Sequence, residues 1–257
     1  MAEHTRLTGS PLAGQVALVT GASSGLGRAT ALALARAGAN LALLARSVAD
    51  LQQVAADSEA IGPRALALPV DLADADQIMN AVQQAVDAFG CIDLLINAAG
   101  TDVPGRVVDV PIEGWDRVLD VNLRAPFVLA KAVFPHMQQA GHGTIITISS
   151  VAGKRGWANA AAYCASKFGL TGLTQALAAE GKPYGIRACV LYPGGMATGW
   201  GTWSPQERHA QNREPPPATK ALPPEGVAAL IVWIASAPPE LVLNEAIVTP
   251  LEESGWP

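Results

Sequence analysis

The sequence predicts an α/β fold: a single-domain, doubly wound parallel sheet of about seven strands with helices on both faces. Three observations predict it. Short runs that are apolar throughout alternate with longer segments of helical period, as parallel strands covered on both sides require. A glycine-rich turn joins the first such run to the first helical segment. The 257 residues, 50% of them apolar, suffice for one large domain with a sizeable core.

The elements follow in order. Residues 16–20 read as the first strand, and the alanine-rich stretch 26–37 as a helix that Gly38 stops. A second strand at 40–45 leads into a helix at 48–61, which Gly62-Pro63 ends. Strand 64–70, helix 74–89 (stopped by Gly90) and strand 92–97 come next. A long helix is expected over 112–139, a strand over 143–149, a long helix over 157–181 and a strand over 186–192. A Gly/Pro/Trp-rich stretch, 193–224, precedes a helix at 225–235 and a last strand at 243–249. There is no repeat and no second domain, so 1–257 reads as one unit, with 1–11 expected to be flexible.

Bulk chemistry excludes several functions. Net charge is −5, and the 17 basic residues form no Lys/Arg-rich run, which argues against nucleic acid or an anionic membrane surface as partner. No stretch reaches the 18 or so apolar residues of a membrane span, and no secretory signal is visible. Cys91, Cys164 and Cys189 are odd in number and widely spaced, which fits a reducing cytoplasm better than a disulfide framework. His4, His136, His142 and His209 lack ligand-like spacing, so no metal is expected.

Two ends of the predicted sheet carry chemistry. The turn from Thr20 to Gly27 (Thr-Gly-Ala-Ser-Ser-Gly-Leu-Gly) can bring backbone N–H groups to a pyrophosphate at a helix N-terminus, although a tight structural turn would use similar residues. The second strand ends in Ala45-Arg46-Ser47 with no acid to bind an unphosphorylated ribose. Arg46 and Ser47 can instead meet a 2′-phosphate, so NADP(H) is expected over NAD(H); Arg46 could otherwise be a solvated helix-start residue. Asp71 could accept a hydrogen bond from an adenine amino group or cap the next helix, a job for which Asp74 is better placed. Asn97-Ala98-Ala99-Gly100 ends the fourth strand with small residues that let the chain pass close to a ribose.

Tyr163 and Lys167 share a helix face at i, i+4, with Ser150 thirteen residues upstream of the tyrosine at a strand end. A lysine ammonium beside the phenol would pull its pKa down from about 10, making the tyrosine a proton donor to a carbonyl or an acceptor from an alcohol. Singly, each of these residues could cap, pack or be solvated.

With these motifs in register, the chain resembles a short-chain dehydrogenase/reductase of the common type of about 250 residues, with a Rossmann fold. The likeness runs from Leu12 to about Ala237 and rests on Thr20-Gly-x-x-x-Gly25-x-Gly27, Asn97-Ala-Ala-Gly100, Asn122, Ser150, Tyr163-x-x-x-Lys167 and Pro193-Gly194. The resemblance implies Tyr163 as general acid or base, Lys167 as the lysine that lowers its pKa and holds the nicotinamide ribose, and Ser150 as hydrogen-bond partner of the substrate oxygen. It implies that Asn122, inside the long helix, binds a relay water. It places Gly21, Ser23, Ser24, Gly25, Leu26 and Gly27 on the diphosphate side, Asp71 and Leu72 at the adenine, and Pro193, Gly194 and Thr198 beside the nicotinamide amide and diphosphate. The implied activity is hydride transfer between NADP(H) and a small carbonyl or alcohol substrate, by a cytoplasmic homo-oligomer (tetramer or dimer). A non-catalytic cofactor sensor or scaffold, or an epimerase or dehydratase, are the alternatives.

The chain departs from the family's oxoacyl-reductase pattern in two places. Its ending, Leu241 to Leu251, lacks a Gly-Gly strand and looks more like the hydroxy-acid dehydrogenase and ketone reductase branch. Residues 194–224, where the family has its substrate lid, carry Trp200 and Trp203; these could cover a substrate, pack in the core or form an interface.

Overall fold

The computed structural model describes residues 10–198 and 221–252. Seven strands form one parallel sheet in the order β3-β2-β1-β4-β5-β6-β7: β1 (Val16–Thr20), β2 (Asn40–Ala45), β3 (Ala65–Pro69), β4 (Leu94–Asn97), β5 (Gly143–Ile148), β6 (Ile186–Pro193) and β7 (Glu245–Val248). The helices are α1 (Gly25–Arg36), α2 (Val48–Glu59), α3 (Ala75–Phe89), α4 (Ile112–Leu119), α5 (Ala125–Ala140), α6 (Ala161–Gly181) and α7 (Pro224–Ser236). The expected doubly wound sheet is therefore present.

Side chains alternate across the strands and divide the core in two. Ala17, Val19, Leu41, Leu43 and Ile96 pack with Leu34 of α1, Leu51 of α2 and Ile231 of α7. Leu18, Ala42, Leu44, Leu95 and Ile145 pack with Ile78 and Val82 of α3 and Leu129 and Val133 of α5. Both faces of the central strands are apolar, which is why these runs read as continuously hydrophobic.

Stop and start signals act as their chemistry requires. Gly90 caps α3 at φ 84, and Asp74 accepts hydrogen bonds from the N–H groups of Asp76 (2.9 Å) and Gln77 (3.1 Å) at its start. Two helices differ from expectation. The segment 112–139 is not one α-helix: a π turn over Asp120–Arg124 separates α4 from α5. Pro126 has no N–H to give the carbonyl of residue 122, so the i→i+4 ladder must break there. The helix expected from Trp157 begins only at Ala161, because Asn159 adopts φ 62 and Gly105 bridges to Ala160. Asn is one of the few side chains that tolerate this left-handed backbone.

β1 lies between β2 and β4, so connections leave in opposite directions at its C-terminal end and open a crevice there. Among the described residues no helix is long and apolar enough to cross a membrane. None of them forms a group of three or more His, Cys, Asp or Glu suited to a metal.

Candidate active site

At the crevice the turn after β1 is pressed against the end of β4. The Thr20 hydroxyl accepts from the N–H groups of Ala98 and Ala99, both at 3.1 Å. Gly21 (φ +67) approaches so closely that a Cβ there would lie 2.9 Å from Ala99 Cα, and a Cβ on Gly27 would enter the Gly21 carbonyl. The glycines are thus required by backbone contact, and they leave the start of α1 open to a ligand.

A cavity of about 810 Å³ runs from this turn to the start of α6. Its walls include Gly21, Ser23, Ser24, Gly25, Leu26 and Gly27, then Ala45 and Arg46, Asp71 and Leu72, and Ala98, Ala99 and Gly100. They continue through Ser150, Tyr163, Lys167, Pro193, Gly194 and Thr198. The residues present fit a nicotinamide dinucleotide: a side-chain-free cradle at a helix N-terminus, a cation at the end of β2 and polar groups at the far end.

Several expected residues sit differently. Ser47 does not line the cavity; its hydroxyl donates to Asp50 at 2.6 Å, a short-range bond that holds it on the first turn of α2. Asn97 is 3% exposed and off the cavity wall, with no hydrogen-bond partner among the described residues for either side-chain polar atom. Asp71 does line the cavity, but Arg117 of α4 grips its carboxylate bidentately (3.0 and 2.9 Å) and the Ala73 N–H adds a third bond at 3.0 Å. Arg117 first, then the Ala73 N–H, holds this carboxyl below its ordinary range. Trp200 and Trp203 lie outside the described residues.

Tyr163 and Lys167 project from the first turns of α6. The Lys167 ammonium donates to the Ile148 carbonyl at 2.8 Å and stands 5.5 Å from the centre of the Tyr163 ring. Lys167 is 4% exposed, and burial pushes its pKa down to about 8 against an opposing pull from Asp102. The expectation that Lys167 lowers the Tyr163 pKa is corrected here. Burial of the phenol dominates and pushes it above its ordinary value, with Asp102 and Cys164 adding to the rise. The group that pulls it back is Ser150, through a side-chain hydrogen bond. Ser150 Oγ also accepts from the Ala152 N–H at 3.2 Å, which fixes the serine at the head of the turn after β5.

The same packing holds α6 against β5. Ser149 Oγ donates to the Lys167 carbonyl at 2.9 Å, and a Cβ on Gly153 would lie 2.7 Å from that carbonyl oxygen. Asn122 sits in the π turn, and its side chain is fully engaged. Oδ1 accepts from Thr101 N–H at 2.8 Å, while Nδ2 donates to Thr101 O at 2.8 Å and to Ser166 Oγ at 3.0 Å. The side chain therefore ties the loop after β4 to α6, and Pro126 offers the Asn122 carbonyl no i+4 N–H.

Sequence reasoning missed Thr101, Arg117, Val121, Arg155, Trp157 and Met196 on the cavity wall, and Asp102 beside it. Burial raises the Asp102 pKa to about 6, while its Oδ1 accepts from Val103 N–H at 2.8 Å and Lys167 opposes the rise. None of these residues belongs to a spaced motif. Arg117 could have been flagged only by asking which cation meets Asp71.

Comparison with known proteins agrees with this geometry. The short chain dehydrogenase family profile matches residues 15–208. The diol dehydrogenase LinX (2,5-dichloro-2,5-cyclohexadiene-1,4-diol dehydrogenase) of Sphingobium indicum is 40% identical over 187 residues, 73% of this chain and 75% of that protein. Glycine betaine reductase ATRR of Emericella nidulans is 33% identical over 95% of this chain, which spans only 19% of that longer protein. Among solved structures, a metagenomic short-chain oxidoreductase in complex with NADP superposes with a TM-score of 0.81 at 33% identity, covering 95% of this chain and all of that one. The chain belongs to the short-chain dehydrogenase family and is an NAD(P)-dependent oxidoreductase of that family.

Proposed function

We propose that the protein interconverts a ketone or aldehyde and the corresponding alcohol, with NADP(H) preferred over NAD(H). The observation that carries this reading is the convergence of Ser150, Tyr163 and Lys167 on one end of a cavity whose other end is a glycine-lined helix start. The bound cofactor would supply or accept the hydride. The Tyr163 phenol, protonated at neutral pH in its buried setting, would give its proton to the carbonyl oxygen, and Ser150 would hydrogen-bond that oxygen as charge develops on it. Lys167, held by the Ile148 carbonyl, would re-supply the proton and meet the ribose hydroxyls.

The preference for NADP(H) is supported by Arg46 on the cavity wall and by the absence of an acid at the end of β2. Asp71, with Arg117 engaged on it, would meet the adenine. Assembly into a dimer or tetramer is supported by Phe127 of α5 and Phe168 of α6, which are 52% and 46% exposed. The reading extends to one domain acting in the cytoplasm, supported by the single sheet and by three free cysteines. The test is Tyr163→Phe: turnover of every ketone and alcohol should vanish while NADPH binding, followed by fluorescence, persists. Retained turnover would refute the assignment.

A further inference from the structure

We propose that Arg155 is an anion-binding subsite for the substrate, so that the carbonyl compound handled at Tyr163 carries a carboxylate. The inference rests on the oxidoreductase reading and deepens it.

Arg155 follows Ser150 by five residues, on the same loop after β5. The two neighbouring cations of this loop diverge. Lys154 is fixed on Glu245 at 2.7 Å and lies over the Tyr192 ring at 4.4 Å. Arg155 instead lines the cavity, as do Ser150, Trp157 and Tyr163.

Among the described residues, the charges on the cavity wall leave Arg155 unmatched. These residues bring Arg46, Arg117, Arg155, Lys167 and one carboxylate, Asp71, to the wall. Asp71 is taken by Arg117, and Lys167 donates to the Ile148 carbonyl. Arg46, at the end of β2, is where the cofactor's ribose phosphate would be met. Arg155 has no ion pair or side-chain hydrogen bond among the described residues and is exposed to the cavity mouth. A planar guanidinium presented this way accepts a carboxylate through two parallel hydrogen bonds.

The neighbours define the rest of the ligand. Trp157 and Tyr163 both pack against Ala152, Ala160 and Cys164, which makes the wall around the proton donor apolar. Asp102, electrostatically coupled to both Lys167 and Tyr163, disfavours an anion at the inner end. The carboxylate therefore belongs at the outer end, with an apolar spacer leading to the carbonyl: an oxo acid, or the hydroxy acid formed from it.

The test compares levulinate with its uncharged ester, methyl levulinate, in the wild type, Arg155→Gln and Arg155→Lys. Loss of charge-assisted hydrogen bonds should lower the acid-to-ester ratio of kcat/KM by about 10- to 100-fold in Arg155→Gln, with partial recovery in Arg155→Lys. An equal ratio in wild type and Arg155→Gln overturns the subsite while leaving the oxidoreductase reading intact. Dihydroxyacetone phosphate against dihydroxyacetone is the parallel arm; if only that ratio moves, the carboxylate assignment is wrong. A binding arm separates the two readings. Valerate, which has no carbonyl, should raise the Tm of the NADP⁺-loaded wild type and not of Arg155→Gln. That result without turnover of any ketone keeps the subsite and sinks the reductase, whereas no valerate shift in either protein overturns the subsite.

Discussion

The two edges of the sheet treat buried polar groups in opposite ways. At the N-terminal edge, Asp93 accepts from the Val16 N–H at 2.7 Å and lies 2.9 Å from His142 Nε2. Nearby Arg187 donates to the carbonyls of Ala237, Pro238 and Leu241 and to Thr144 Oγ1, at 3.0 to 3.2 Å. Asp93 and Arg187 are thus both held by partners within the protein. At the C-terminal edge, the Asn97 side chain has no partner among the described residues, the Lys167 ammonium donates to the Ile148 carbonyl, and Tyr163, Lys167 and Asp102 are all displaced from their ordinary pKa values. Groups saturated by the protein hold a fold together, while buried groups displaced from their ordinary pKa values gather where a ligand is handled.

The sharpest way to break this contrast is at Tyr163. Tyr163→Phe should lower kcat by roughly 10³-fold or more. Its Tm should stay within a few degrees of wild type, because the ring that packs against Ala152, Ala160 and Cys164 is retained. A large fall in Tm would make Tyr163 a structural group like those at the opposite edge. Arg46→Ala should weaken NADPH about tenfold and leave NADH binding near its starting value, as fluorescence titration with each would show. Equal losses for both cofactors would remove the 2′-phosphate role.

Asp93→Ala should do the converse. It strands the Val16 N–H and costs about 1–3 kcal/mol, which lowers Tm by several degrees. The NADPH dissociation constant should hold. If Asp93→Ala weakens the cofactor as much as Arg46→Ala does, the edges are not independent.

The smallest effect sharpens the comparison by pH. Burial raises the Asp102 pKa to about 6 from 3.8, so between those values the folded state binds more protons and stability falls as pH rises, levelling off above 6. Asp102→Asn removes that loss, so its gain in Tm over wild type should be larger at pH 8 than at pH 5. Lys167 has the opposite history, lowered from 10.5 to about 8. The folded state binds fewer protons between those values, so its contribution becomes more favourable as pH rises from 8 to 10.5. Lys167→Met should therefore gain most below pH 8. A flat pH dependence of both differences would mean that neither group is strained by burial.

What was legible in the sequence follows from how locally each feature is encoded. The strands were readable because both faces of β1 and β2 are buried, so nearly every residue in them is apolar. The glycine turn was readable because contact with Ala99 and with the Gly21 carbonyl forbids a side chain. The π turn was not, since an apolar stripe continues across it and only Pro126 marks the break. The pair Arg117–Asp71 joins positions 46 apart that no short pattern connects. The direction of the Tyr163 pKa was missed for a related reason: spacing on a helix gives proximity to Lys167 but not the depth of burial, which decides the sign.

The bond between Thr20 and Ala98 spans 78 positions, and the cavity wall draws on residues from Gly21 to Thr198. The ligand-binding crevice is therefore built from closures between distant parts of the chain, and a nascent polypeptide lacking its final third is without the wall that Pro193, Gly194 and Thr198 form. Folding must be slow relative to helical proteins of the same size, and cofactor can rescue a weakened variant only by trapping the finished state, never by nucleating an early one.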